Sequence, residues 1–104
     1  MFRINQSEST TENYDKSVKT VISHLSGGMT VEYRLLRGYC TDPECFVYSL
    51  LISLYDGRIL EDEEFAFDVT RDAHDAETIF GLAIRHEIVP SSFNESFEFI
   101  IDNL

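Results

Sequence analysis

Tryptophan is absent from this 104-residue chain, cysteine and proline occur twice each, and basic residues are scarce: eight Lys and Arg against 19 Asp and Glu, a net charge of −11. Each shortage excludes something. Two cysteines cannot form a disulfide framework of the kind that staples small secreted domains. The shortage of bases argues against nucleic-acid backbones and anionic membranes, because both demand clustered Lys and Arg. No apolar stretch approaches the roughly 20 residues of a spanning helix, and MFRINQSEST lacks the apolar core of a signal peptide. The expectation is a cytoplasmic protein with no membrane and no nucleic acid among its partners. Solubility alone accounts for much of the acidity, although the charge also favours basic partners.

What is present is ordinary globular composition, 43% hydrophobic and 26% charged, with eight Phe and five Tyr to supply bulk. A chain of this length makes one domain with one modest core. Residues 1–13 are polar apart from Met1, Phe2 and Ile4, and read as a disordered leader ahead of a single domain over 14–104. In 17–25, Val18, Val21, Ile22 and Leu25 fit a helical spacing, but the β-branched content and the Gly27-Gly28 pair favour a strand closed by a short hairpin loop. TVEYRLLRGY, 30–39, alternates Val31, Tyr33 and Leu35 with Glu32 and Arg34, as a half-buried strand does. CFVYSLLISLY, 45–55, is apolar on both faces and belongs in the middle of a sheet.

Pairing Tyr39 with Phe46 sets Tyr33 opposite Ile52, Leu35 opposite Leu50 and Val31 opposite Leu54, so the apolar residues share one side. It also sets Cys40 opposite Cys45 across Thr41-Asp42-Pro43-Glu44. Three readings of the cysteines stay open. They are a reduced pair beside a turn, a cross-strand redox bond, or half of a metal site that lacks ligands even with His24 added. Asp56-Gly57 is the strongest turn signal in the chain, the kind that closes a two-residue hairpin. With those two residues at the tip, Leu54 faces Ile59, Ile52 faces Glu61, Leu50 faces Glu63 and Tyr48 faces Phe65. That register sends Glu61 and Glu63 to the apolar side and Asp62 and Glu64 to the other, and the expected result is an edge strand splayed at its middle.

DAHDAETIFGLAIRHEI, 72–88, reads as a helix capped by Asp72, with Ala76, Ile79, Phe80, Ala83 and Ile88 on one stripe. Pro90 ends it, and Ser92-Phe93-Asn94-Glu95 has the spacing of a capping box for a second helix, whose stripe is Phe93, Phe97, Ile100, Ile101 and Leu104. The expected fold is α+β: an antiparallel meander of three or four strands with two C-terminal helices on one face.

No motif for catalysis stands out. His74 with Glu77, and His86 with Glu87, invite an acid–base reading, yet His74 and His86 lie more than three helical turns apart, and no nucleophile or phosphate loop accompanies them. An enzyme using His74 and His86 with acidic residues is a further alternative; no cofactor or metal is expected. Glu61-Asp62-Glu63-Glu64 lacks the loop of a calcium site. The second face of the sheet is the candidate interface: Leu36, Val47, Leu51, Tyr55, Leu60 and Ala66 project there, framed by Glu32, Arg34, Asp62 and Glu64. Either a partner protein or a second copy in a homodimer covers it, or the N-terminal leader, or an N-terminal segment that is helix after all, folds over it. The favoured function is a non-enzymatic protein-interaction or regulatory module, with an acidic nucleic-acid mimic or an inhibitor of a basic partner as the alternative.

From about Val31 onward the chain resembles a family of small uncharacterised Firmicutes proteins, a domain of unknown function. The resemblance is carried by Tyr33-Arg34-Leu35-Leu36, by Tyr48 to Gly57 ending in Tyr-Asp-Gly, by Phe67-Asp68-Val69 before the helix with Ala76-Glu77, and by Val89 and Phe93. It implies a cytoplasmic bacterial protein and no catalytic residue.

Overall fold

The computed structural model describes residues 3–5, 14–41 and 44–102. Five strands run in the order β1 (Arg3–Asn5), β2 (Tyr14–His24), β3 (Met29–Thr41), β4 (Glu44–Asp56) and β5 (Ile59–Thr70), and α1 (Ala73–Arg85) and α2 (Phe93–Asp102) come after them. The sheet order is β1-β5-β4-β3-β2, and each neighbouring pair is antiparallel. The fold is α+β, with both helices on one side of the sheet.

The 17–25 segment is strand, as its β-branched residues favour. It turns back through Ser26–Gly28, where Gly27 and Gly28 take positive φ values of 77° and 80°. The expectation of a wholly disordered leader is corrected: Arg3–Asn5 adds a fifth strand by pairing with Phe67, Ala66 and Phe65 of β5. An unpaired row of β5 amides and carbonyls would otherwise stand open there, and pairing satisfies it. Residues 6–13 lie outside the described residues.

The β3–β4 hairpin has the expected register throughout, with Val31 facing Leu54, Tyr33 facing Ile52, Leu35 facing Leu50, Tyr39 facing Phe46 and Cys40 facing Cys45. Its tip, Asp42-Pro43, lies outside the described residues, as do the side chains of both cysteines. Toward that end of the hairpin the Arg37 guanidinium sits 4.3 Å from the Phe46 ring centroid, and Tyr39 meets the same ring edge-on at 5.5 Å.

The β4–β5 hairpin departs from expectation twice. Its tip is Gly57-Arg58, not Asp56-Gly57, and Asp56 faces Ile59. Only the first tip residue has positive φ, Gly57 at 62°, which is the pattern of a II′ turn rather than a I′ turn. Next, Tyr55 faces Leu60 whereas Leu54 faces Asp62, so Glu61 is an extra, exposed residue in a bulge. The bulge reverses the parity of the rest of β5. Asp62, Glu64 and Ala66 share the helix side with Leu54, Ile52 and Leu50, while Glu63 and Phe65 go to the second face beside Ser53 and Leu51. Without the bulge, pairing from this tip would have set Phe65 opposite Leu50 and Glu63 opposite Ile52; the bulge sets Ala66 opposite Leu50 instead, fully buried.

The core lies between sheet and helices. Val31, Tyr33, Leu35, Leu50, Ile52 and Ala66 pack with Ala76, Ile79, Phe80 and Ala83 of α1, with Ile88, and with Phe93 and Ile100 of α2. α1 presents its stripe because Asp72 holds its start: the carboxylate accepts the Asp75 amide at 2.9 Å. The capping box expected for α2 does not form. A 3₁₀ turn, Pro90–Ser92, runs directly into α2, and the Ser92 hydroxyl donates to the Val89 carbonyl at 3.2 Å. Of the stripe expected for α2, Phe97, Ile101 and Leu104 fall outside the described side chains.

Candidate interaction surface

The second face of the sheet has a closed centre. Leu36, Val47 and Leu51 are only 6%, 3% and 5% exposed, and Leu36 and Leu51 form a separate small cluster with Phe65. Tyr55 is half-buried, and of the five residues expected to dock a partner only Leu60, 47% exposed, stands open. Ala66, expected on this face, belongs to the helix side. The rim is self-satisfied as well. Arg34 grips Glu32 through Nε and a terminal nitrogen at 3.2 and 3.1 Å, and the Ser53 hydroxyl donates to the Glu63 carboxylate at 2.9 Å. Asp62 and Glu64, expected on this rim, lie on the opposite side.

A different surface forms where α1 hands over to α2. α1 closes with the Glu87 amide donating to Ile84 and the Ile88 amide donating to Ala83, at 3.0 and 3.1 Å. These are the paired bonds of a Schellman close, whose left-handed position is normally glycine. Glu87 occupies it here at φ 51°, the only non-glycine residue with positive φ among the described residues. The next carbonyl, Ile88, accepts the buried Tyr33 hydroxyl at 3.0 Å, tying the helix exit to the middle of β3. Burial pushes the Tyr33 phenol above its ordinary pKa, and the Glu87 carboxylate adds to the effect.

Beyond this joint an open cleft of about 340 Å³ is lined by His86, Glu95, Ser96, Phe99 and Ile100. α2 forms one wall. Phe93 and Ile100 point inward to the shared core, whereas Glu95, Glu98, Phe99 and Asp102 fall at i, i+3, i+4 and i+7 and are all exposed. Phe99, at 62%, is the second most exposed large hydrophobic residue described, after Ile59. Lys and Arg do not occur in α2. The Phe99 ring thus stands in a solvent-facing helical stripe, with Glu95 one turn before it and Asp102 one turn after.

The other candidates remain apart. His74 sits in the first turn of α1 and His86 just past its last, so they share no site. Glu77, one turn from His74, is engaged by Lys19 of β2 at 2.6 Å. Among the described residues no three His, Cys, Asp or Glu side chains gather as a metal would require. A cavity of about 10 Å³ between the sheet and α1, lined by Leu35, Leu50, Ile79 and Phe80 among others, has room for one water at most. No described helix is long and apolar enough to cross a membrane. Comparison with protein-family models, with curated proteins and with solved structures finds no match.

Proposed function

We propose that this chain is a non-enzymatic interaction module that holds a partner protein through its acidic surface, in a cytoplasmic setting. The observation that supports this reading most is the outer face of α2, three carboxylates around an exposed Phe99 in a chain of net charge −11. Two copies carrying that charge repel each other, so a basic partner fits better than a homodimer. The sheet edge argues the same way. Both lysines of the chain, Lys16 and Lys19, lie on β2, and that strand carries two register shifts, devices that discourage strand-to-strand pairing between copies.

The test is a titration of the full chain with a synthetic Leu/Lys peptide patterned as an amphipathic helix, monitored by amide NMR shifts and by calorimetry. Saturable binding that weakens as salt rises from about 0.05 to 0.5 M, with shifts confined to one surface, is expected. Absence of binding at the lowest salt contradicts the reading.

A further inference from the structure

We infer that Cys40 and Cys45 form a reversible redox site, at which a disulfide oxidant converts the two thiols into a cross-strand bond that clasps the protruding end of the β3–β4 hairpin. The inference goes beyond the interaction-module reading and does not depend on it. Three features of the structure converge on it.

The first is register. Cys40 and Cys45 are Cα partners in a ladder that keeps its pairing without a shift from Met29–Asp56 to Thr41–Glu44. Directly opposed residues of an antiparallel pair hold their Cα atoms about 4.5 or 5.5 Å apart, and a disulfide takes about 4.4–6.8 Å. Either kind of pair falls within reach of the bond without a change of register. The chain has no third cysteine, so no other intramolecular pairing competes.

The second is support for that register. In the neighbouring pair Tyr39 meets Phe46 edge-on at 5.5 Å, and the Arg37 guanidinium lies 4.3 Å from the Phe46 ring centroid. These contacts resist a slip of one strand past the other, which would part the cysteines. The third is place. Tyr14, the first residue of β2, faces Gly38, and Thr70, the last of β5, faces Tyr48. Among the described residues no strand flanks Tyr39–Thr41 or Glu44–Phe46, and these two runs form a two-stranded arm beyond the sheet. Tyr39 and Phe46 are 51% and 41% exposed, so solvent, and with it a small oxidant, reaches the arm. A two-stranded ribbon alone is marginally stable, so a covalent tie has most to add here.

The chemistry balances with a low-molecular-weight disulfide such as oxidised glutathione. One cysteine thiolate attacks a sulfur of that disulfide, its S–S bond breaks, and one glutathione thiolate leaves. The second cysteine thiolate then attacks the protein sulfur of the mixed disulfide and expels the other glutathione. Two protein thiols lose two electrons and two protons, and the oxidant is reduced to two thiols. Excess thiol reverses the step. Zinc is the poorer occupant: two thiolates supply half of its four ligands, and His24, paired with Thr30, lies at the other end of β3.

The experiment equilibrates the full chain with glutathione mixtures of rising oxidised fraction, at a protein concentration low enough to disfavour links between copies. Free thiols are then alkylated, and intact mass and a peptide map are read for the parent and for Cys45→Ser. The parent is expected to pass in one transition from two alkylated thiols to none, with Cys40 and Cys45 in one cross-linked peptide that dithiothreitol opens. Amide hydrogen exchange over 39–46 is expected to slow by about tenfold in the oxidised parent and to stay unchanged in Cys45→Ser under the same mixture. A parent chain that carries glutathione on both cysteines, keeps both thiols in the most oxidising mixture, or links to a second copy overturns the redox site. Equal exchange in the reduced and oxidised parent overturns the clasp.

Discussion

α1 and α2 are consecutive helices on the same side of one sheet, yet they use their surfaces differently. α1 is fixed at every boundary. Asp72 caps its start, Ala76, Ile79, Phe80 and Ala83 enter the core, Glu77 reaches across to Lys19, and the Glu87–Ile88 close is fastened to β3 by Tyr33. α2 shares the core through Phe93 and Ile100 but leaves Glu95, Glu98, Phe99 and Asp102 in solvent. Stability is therefore concentrated in α1 and the sheet beneath it, whereas α2 keeps a solvent-facing stripe of three carboxylates and the Phe99 ring.

The largest effect that can sharpen this contrast is Phe80→Ala. Its ring is 3% exposed between sheet and helix, and truncation is expected to cost about 3–5 kcal/mol in urea denaturation. A cost below about 1 kcal/mol would break the contrast from the α1 side. Tyr33→Phe comes next. It leaves the Ile88 carbonyl without its buried donor, an expected loss of about 1–2 kcal/mol at neutral pH. The same residue sets an alkaline limit. Its folded-state pKa lies above the unfolded value of 10.0, so the fold retains the proton more tightly than the unfolded chain does. This contribution is fully present below about pH 10 and is lost as pH rises from there through the folded value. Stability measured against pH should fall less steeply above pH 10 in Tyr33→Phe than in the parent; identical slopes would remove Tyr33 from that role.

The smallest effect is a gain. Glu87 occupies a left-handed position that a side chain strains, so Glu87→Gly is expected to stabilise by about 0.5–1 kcal/mol. Thermal melting that shows a loss instead would mean that the glutamate makes a favourable contact at the joint which outweighs its backbone cost.

The sequence made one hairpin legible and hid the other. Alternation helped to align Val31 with Leu54, Tyr33 with Ile52 and Leu35 with Leu50, because a one-residue slip would have set these β3 residues on the face away from Leu50, Ile52 and Leu54. For β5 the turn chemistry was ambiguous, since Asp56-Gly57-Arg58 accommodates the tip at either pair, and a bulge at Glu61 has no compositional mark. One extra residue exchanged Phe65 for Ala66 in the core and turned Asp62 and Glu64 toward the helices. The closed centre around Leu36 and Leu51 was hidden for the same reason, because Phe65 was assigned to the wrong side. α2 was half legible. Phe93 and Ile100 fell on the inward stripe, and Phe99, off that stripe, already carried the signal of an outward ring between Glu95 and Asp102.

The central claim is that most of the Phe99 ring is apolar surface the fold leaves in water. Urea denaturation of Phe99→Ala beside Phe80→Ala measures it directly. The account predicts a midpoint for Phe99→Ala within about 0.5 M of the parent, and a midpoint for Phe80→Ala lower by more than about 1 M. Equal, large falls for both would show that Phe99 belongs to the core and that α2 has no outer face to spare.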